Sequence, residues 1–195
     1  AYVVLLISLL IFHALFTYSI FLKFIGGLSP ITFFKKIKNV ALFAFSTSSS
    51  AATIPVTLKT VNQDLGVNQN VASFVVPVGA TINMDGTAIM QGLATVFIAQ
   101  MSGIDLTLFQ YGQVVLLAVA TSIGTAAVPS AGTITLIIIL QQFNLPLEAI
   151  GIILAVDRVL DMIRTSVNVT GDAAIACIVA KSENQLDETI FNSRQ

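Results

Sequence analysis

Hydrophobic and polar positions fall in long blocks along this chain, not in the short repeat of a soluble helix or strand. The first block, 1–25, is an apolar run of about the 20 residues that a membrane-spanning helix needs. Two later blocks, 71–101 and 146–181, are also long enough to span, although polar groups interrupt them. The pattern therefore predicts spanning helices over these blocks and a polar, partly disordered tail over 182–195.

The regions between the spans, 34–65 and 112–143, each consist of two apolar halves that are too short to cross a bilayer. Their breaks are runs of small residues with a proline, at 46–55 and 122–132. We predict two re-entrant helical hairpins. Broken segments in corresponding positions favour a transporter, and the alternative is that glycine and proline are simply common in membrane helices.

Composition agrees with a membrane protein, because 55% of the residues are apolar, 10% are charged and the mean hydropathy is +0.90. Such a chain is neither disordered nor soluble. A net charge of −1 without a basic stripe argues against nucleic-acid binding, and Cys177, the single cysteine, excludes a disulfide framework. No nucleophile–base pair, His/Cys cluster or phosphate loop occurs, so we predict an all-α integral membrane protein that is not an enzyme.

Basic residues indicate the orientation, since they mark the cytoplasmic side of membrane proteins. They gather after the first span, late in the first hairpin and at the C-terminus: Lys23, Lys35, Lys36, Lys38, Lys59, Lys181 and Arg194. The connections 102–110 and 141–148 contain none. We therefore expect a cytoplasmic C-terminus and two hairpins that enter from opposite faces, so that their tips can meet.

The last span carries a polar stripe formed by Asp157, Asp161, Arg164, Asn168 and Asp172. At 100° per residue these positions fall within an arc of about 60°. Each charge at membrane depth costs about 2.5–3.5 kcal/mol on insertion scales. The stripe predicts a binding site; the alternative is an ion-pair network that only fixes helix packing.

Asp85 is a lone carboxylate inside the 71–101 segment. An unpaired buried carboxylate would normally protonate, whereas a bound cation would keep it ionised. The breaks at 81–83 and 122–125 offer carbonyl oxygens, which hard cations prefer. Asp85 and Asp172 thus predict cation sites, with Asp85 as a proton carrier as the alternative.

Four motifs in order, SSSAATIPVT, GATINMDGT, SIGTAAVPSAGT and DMIRTSVNVTGD, resemble the C-terminal half of the dicarboxylate/amino acid:cation symporters, the glutamate–aspartate transporter family. The resemblance covers essentially the whole chain. It implies a glutamate-transporter-like transport domain with two opposed re-entrant hairpins, in a homotrimer. Because the chain starts at Ala1 within an apolar run, we expect it to lack N-terminal spans and the scaffold they form.

The resemblance also implies a function: import of aspartate or glutamate across the plasma or inner membrane by sodium symport, with an elevator-type alternating-access mechanism. Na⁺ would be the symported ion, and no organic cofactor is expected. The alternatives are a proton-coupled symporter of acidic amino acids or C4-dicarboxylates from the same family and, from another class, a channel or a non-transporting membrane scaffold.

Residue roles carry over where the motifs match. In this resemblance Arg164 would bind the side-chain carboxylate of the substrate, poised by Asp157, and Asp161 would bind its ammonium. The implied substrate contacts are Ser50, Thr87, Val128, Gly132, Asp157, Asp161, Arg164, Thr165 and Asn168. The implied sodium ligands are Gly79, Asn83, Asn168 and Asp172 at one site, Thr81, Ser122, Ile123 and Thr125 at a second, and Asn83 with Asp85 at a third.

The chain departs from the family pattern at a few positions. Ser48 stands where some archaeal members carry arginine, Ala51 where serine is common, and Ser130 where glycine is frequent. Arg158 next to Asp157 is unexpected, and we expect its side chain to reach toward the headgroups.

Overall fold

The first apolar run forms one helix, α1 (Tyr2–Ile25), in the computed structural model, which describes residues 1–193. Two wide π-helical turns, His13–Thr17 and Phe21–Ile25, lie within it. With a mean hydropathy of 2.3, α1 is the one helix among the described residues that is long and apolar enough to cross a membrane by itself.

Two shorter helices follow, α2 (Pro30–Thr47) and α3 (Ser50–Gln63). Helix α2 begins before the predicted position 34, because Ser29 accepts a hydrogen bond from the Thr32 amide and Pro30 occupies the first helical position. Between the two helices, Ser48 adopts a left-handed conformation with φ of 51°, and Ser49 then caps α3. Local capping thus turns the small-residue run into a sharp break.

The interrupted segment folds as α4 (Gln69–Ile82) and α5 (Asp85–Met101). Only Asn83 and Met84 lie outside the helices. At this break, the last carbonyls of α4 and the first amides of α5 have no partners within their own helices.

The second broken region folds as α6 (Leu108–Ile123) and α7 (Ala131–Gln142). Helix α6 starts before the predicted position 112, since Thr107 and Gln110 form a reciprocal capping box. Ser130, with φ of 60°, ends the break between α6 and α7.

Helix α8 (Ile150–Ser182) follows the 3₁₀ turn Leu147–Ala149 and forms the centre of the molecule, in contact with α1 to α5 and α7. Its first half packs in an apolar cluster with α1, α5 and α7, and its second half in another with α2, α3 and α4. Over residues 1–193 no strand forms and the only β-bridge is the one between Val67 and Leu186, so the predicted all-α class is confirmed.

The tail differs from the sequence expectation. Residues 188–192 form a short helix, α9 (Glu188–Asn192), capped by Asp187, and Phe191 is fully buried against the α2–α3 end of the molecule. The expected partial disorder does not extend to this segment, because Asp187 caps the helix and Phe191 is buried. The basic Arg194 lies outside the described residues.

Candidate binding site

The two small-residue breaks touch each other. Ser49 Oγ donates to the Ala127 carbonyl at 2.9 Å, and the Ala51 amide donates to the same oxygen at 3.3 Å. The break of the α2–α3 pair and that of the α6–α7 pair therefore meet, and the polar stripe of α8 lies beneath them.

Arg164 is the centre of the stripe and is only 2% exposed. Its Nη2 lies 2.5 Å from Asp161 Oδ1 and its Nη1 lies 3.4 Å from Asp157 Oδ1. Two buried carboxylates thus share one guanidinium, which can donate five hydrogen bonds. The guanidinium therefore has spare donors, and the two aspartates and Arg164 together carry an excess of one negative charge.

The two carboxylates are held differently by the α6–α7 pair. Asp157 Oδ1 accepts from the Thr133 hydroxyl at 2.7 Å, while its Oδ2 is buried with no hydrogen-bond partner among residues 1–193. Asp161 Oδ2 accepts from the Ser130 amide at 2.9 Å. The left-handed Ser130 therefore links the second break to the ion pair directly.

A cavity of about 20 Å³ lies between the breaks and Arg164, with room for roughly one water. Eight of the nine residues predicted to contact substrate line it, and Asp157 lies behind Arg164. The lining residues are Ser48, Ser50, Met84, Thr87, Thr125, Ala126, Ala127, Val128, Gly132, Asp161, Arg164, Thr165 and Asn168. The cavity must widen before a ligand much larger than water fits.

Asn168 joins the start of α5 to the stripe. Its Oδ1 accepts from the Gly86 amide at 2.8 Å, and its Nδ2 donates to Thr87 Oγ1 at 3.4 Å. A methyl group at Gly86 would lie 3.0 Å from both Arg164 Cγ and Asn168 Oδ1, so the close approach requires glycine here.

Asp172 lies at the break between α4 and α5 and is 2% exposed. Asn83 Nδ2 donates to Asp172 Oδ1 at 2.9 Å and to the Asn168 carbonyl at 3.5 Å. Gly79 approaches the same carboxylate, because a methyl group there would lie 2.6 Å from Oδ1. The four residues predicted for the first sodium site therefore form one oxygen-rich cluster, the ligand type that a hard cation prefers.

The residues predicted for a second cation site lie at the ends of α4 and α6, which contact each other. Their hydroxyls bond locally: Ser122 to the Val119 carbonyl at 2.9 Å, and Thr125 to the Thr121 carbonyl at 2.8 Å. Thr81 likewise donates to the Val78 carbonyl at 2.9 Å. These hydroxyls keep oxygen lone pairs that can bind a cation, as can the backbone carbonyls at the helix ends.

Asp85, which the sequence presents as isolated, has two partners from α1. His13 Nε2 lies 3.0 Å and Tyr18 Oη 3.2 Å from its Oδ2, and Tyr18 also donates to the Val167 carbonyl at 3.2 Å. Sequence reasoning missed this cluster because its members are 67 and 72 residues apart. Asn83 and Asp85, predicted together for a third cation site, have no common partner within residues 1–193.

Gln91 is a second contact that sequence reasoning missed. Its side chain is fully buried, and Nε2 donates to the Gly132 carbonyl at 3.1 Å and to Thr135 Oγ1 at 2.7 Å. Its Oε1 accepts from the Thr121 hydroxyl at 2.9 Å. Gln91 therefore ties both helices of the α6–α7 pair to α5, and its signal in the sequence is an amide in the middle of an apolar helix.

Comparison with known proteins gives one consistent family. The model of the sodium:dicarboxylate symporter family matches residues 1–182. The chain is 47% identical over 160 residues to human Excitatory amino acid transporter 2, which covers 82% of this chain and 28% of that protein. It is 43% identical over 178 residues to a Caenorhabditis elegans Excitatory amino acid transporter, covering 91% of this chain and 35% of that protein.

A third relative extends the match almost to the end of the chain. Mouse Excitatory amino acid transporter 3 is 41% identical over 193 residues, covering 98% of this chain and 37% of that protein. The chain thus spans about a third of the length of the curated relatives that it matches.

Proposed function

The chain belongs to the sodium:dicarboxylate symporter family, and from that membership we propose that it forms the substrate-carrying part of a sodium-coupled importer of acidic amino acids. The family resemblance read from the sequence is confirmed, and with it the prediction of a transporter rather than an enzyme. The observation that carries the proposal is the buried Arg164–Asp161 pair beneath the two contacting helix breaks.

An acidic amino acid matches this ion pair in charge. Its side-chain carboxylate can take the place of Asp161 on the planar fork of Arg164, and its ammonium can then bind the released Asp161 oxygen. One buried ion pair is replaced by two, and the main-chain carboxylate of the substrate remains to be bound by other groups that line the cavity. A neutral amino acid would bind Asp161 but leave Arg164 without that partner, which is costly in a buried site.

Asp157 supports the guanidinium without facing the cavity. Its Oδ1 contacts Arg164 and the Thr133 hydroxyl, so Arg164 keeps its orientation when Asp161 turns to the ammonium. Thr87 and Asn168, which line the cavity, can bind the polar groups of the substrate that remain. The backbone at Ser50, Val128 and Gly132, together with Thr165, completes the proposed pocket.

The oxygen cluster below the substrate cavity supports the proposal of sodium coupling. Asp172 is buried with a neutral amide as its hydrogen-bond partner, so a cation beside it would compensate a charge that is otherwise costly. Asn168 bonds to the α5 N-terminus on the substrate side, and its carbonyl accepts from Asn83 on the cation side. Binding of sodium would therefore order the residues that hold the substrate. The further cation sites at 81 with 122–125, and at Asn83 with Asp85, belong to the same proposal.

Alternating access would use the two helix breaks as gates. We propose that the α2–α3 and α6–α7 pairs are re-entrant hairpins, that the α6–α7 pair opens outward, and that the carrier moves as an elevator within a homotrimer whose scaffold lies outside this chain. The small cavity supports gating, because the breaks must part before a substrate can enter.

The proposed orientation in the cell membrane has a cytoplasmic C-terminus. Lys36, next to Lys35 and Lys38 at the start of α2, contacts Ile190 and Ser193 in the tail. The basic start of α2 and the C-terminus therefore lie on one side of the molecule, as the positive-inside rule requires of two cytoplasmic segments.

Uptake of labelled aspartate by the intact transporter tests the proposal. With sodium outside, uptake should be saturable and should be inhibited by unlabelled aspartate or glutamate, but only weakly by asparagine or succinate. Equal uptake with choline in place of sodium would reject sodium coupling. Stronger inhibition by succinate than by aspartate would favour the C4-dicarboxylate alternative.

A further inference from the structure

Lys36 is buried, although its neighbours Lys35 and Lys38 on α2 are exposed. The three lysines therefore do not share one solvent-exposed face of the helix. Its Nζ donates to the Asp64 carbonyl at 2.8 Å, to the Ile190 carbonyl at 2.6 Å and to Ser193 Oγ at 3.3 Å. An ammonium has three donors, and here each has an acceptor. Two of the acceptors are carbonyls at helix C-terminal ends, where a cation is stabilised by the helix dipole.

These contacts join three elements at the base of the α2–α3 pair, the end opposite its break. Lys36 lies near the start of α2, Asp64 directly follows α3, and Ile190 lies in α9. One side chain thus connects both arms of the pair to the tail.

The tail residues 184–193, which we call the clip, have further independent contacts with this base. The Asn68 amide donates to the Gln185 carbonyl at 3.0 Å, and the Asp187 amide donates to the Gly66 carbonyl at 2.8 Å. A methyl group at Gly66 would lie 2.4 Å from the Asp187 carbonyl oxygen, and Gly66 has a φ of 76° that favours glycine.

Two side chains of the short helix α9 also anchor the clip. Phe191 is fully buried in the apolar cluster that contains Ile37 of α2 and Val61 of α3. Lys181 at the end of α8 pairs with Glu188. The clip is therefore fixed to α2, α3 and α8 together.

We propose that Lys36 and the clip position the α2–α3 pair for substrate binding, by holding the base of its two arms against α8. Within residues 1–193, the hydrogen bonds that link its break to the break of the other pair both end on the Ala127 carbonyl. When the base is fixed, helices α2 and α3 keep Ser50 at the cavity. The effect on transport rests on the function proposed above, whereas the effect on the α2–α3 base does not.

Hydrogen exchange on the intact, purified transporter tests the structural part. Lys36→Met keeps most of the side-chain volume but removes all three donors, and Phe191→Ala removes the apolar anchor. Each should raise exchange of the amides at 60–68 by about tenfold or more, since local opening then becomes easier. Lys35→Met and Lys38→Met are matched controls that remove the same charge from exposed positions of the same helix, and should leave that exchange unchanged.

Transport kinetics test the positioning role. In the clip variants the KM for aspartate should rise several-fold with kcat nearly unchanged, and Lys36→Arg, which keeps the charge and the donors, should recover part of the affinity. If Lys36→Met fails to fold, Phe191→Ala and Gly66→Ala perturb the same clip from the other side. Unchanged exchange at 60–68 in these variants, or an equal change in Lys35→Met, would overturn the proposal. If the unmodified protein does not take up aspartate while the hydrogen-exchange result is as expected, only the proposed transport function is rejected.

Discussion

Arg164 donates to Asp161 from one turn further along α8, with 2.5 Å between Nη2 and Oδ1, and both side chains are buried under two contacting helix breaks. This pair explains why an acidic amino acid fits the site: such a substrate carries one partner for each member of the pair. The other contacts of the site, from Thr133, Ser130 and Gly86, hold this arrangement from two helix ends, the start of α7 and the start of α5.

Replacing the guanidinium should abolish recognition of the acidic side chain. Arg164→Cys is expected to weaken aspartate affinity by roughly 100-fold or more, since truncating one partner of a buried charge pair costs about 2–5 kcal/mol. Uptake of labelled aspartate and of labelled serine measures the change, and serine transport should be spared or gained. Arg158→Cys, at an exposed arginine of the same helix, is the matched control. Unchanged aspartate affinity in Arg164→Cys would refute the assigned role.

The polar stripe was predictable because helical periodicity is a local property. Five polar residues at spacings of three and four must share one face of a helix, and Asp157, Asp161, Arg164, Asn168 and Asp172 are all buried on α8. The positions of the two helix breaks were also predictable, because Ser48 and Ser130 lie in small-residue runs that contain the capping residues. What these patterns could not indicate was which break residue bonds which carboxylate.

A methyl group at Gly79 should impair the proposed first sodium site. In Gly79→Ala the new carbon would lie 2.6 Å from Asp172 Oδ1, so the carboxylate must move. We expect the sodium concentration for half-maximal aspartate uptake to rise roughly tenfold, as overpacking by one methyl costs about 1–3 kcal/mol. Gly92→Ala on α5 is the control, because no heavy atom lies within 4 Å of the added carbon. A sodium dependence that is equal in the two variants would count against a cation at Asp172.

Gln91 should stabilise the closed α6–α7 pair. Gln91→Met removes the hydrogen bonds from Gln91 to the Gly132 carbonyl and to two threonine hydroxyls, each worth about 0.5–1.5 kcal/mol. The thermal unfolding midpoint of the purified transporter should fall, and aspartate should protect it less. Thr95→Val is the control, since Thr95 is buried on the same helix but bonds only to the Gln91 backbone. An equal fall in both variants would mean that Gln91 only packs α5.

Contacts between distant segments mark the limit of what the sequence predicts. His13 bonds to Asp85 and Lys36 to Ile190, at separations of 72 and 154 residues, and no local pattern encodes either pair. The short helix α9 is a partial exception, since Asp187 before Glu188 and Thr189 is an N-cap signal that could have been recognised. Its docking depends on the burial of Phe191, which requires the tertiary structure.

The clip should loosen in acid. Hydrogen bonds from the Thr189 hydroxyl and from the Ile190 and Thr189 amides lower the pKa of the exposed Asp187 below its ordinary value. Its stabilising effect is therefore complete above the unfolded pKa of about 3.9 and is lost as the pH falls through the lower folded pKa. Hydrogen exchange of the amides at 189–192, corrected for the intrinsic pH effect, should rise below about pH 4. Asp187→Asn keeps a capping side chain without its charge, and should not show this rise; an equal rise in both proteins would exclude Asp187 as the cause.

Accumulation of aspartate against its own concentration gradient is the most direct test of sodium-coupled transport. The intact transporter is reconstituted in vesicles with equal pH on both sides, and sodium is placed outside only. We expect labelled aspartate to reach a higher concentration inside than outside. This accumulation should disappear when the sodium concentration is equal on both sides. Accumulation that depends on a pH gradient and not on sodium, or no accumulation under either gradient, would contradict sodium-coupled aspartate transport.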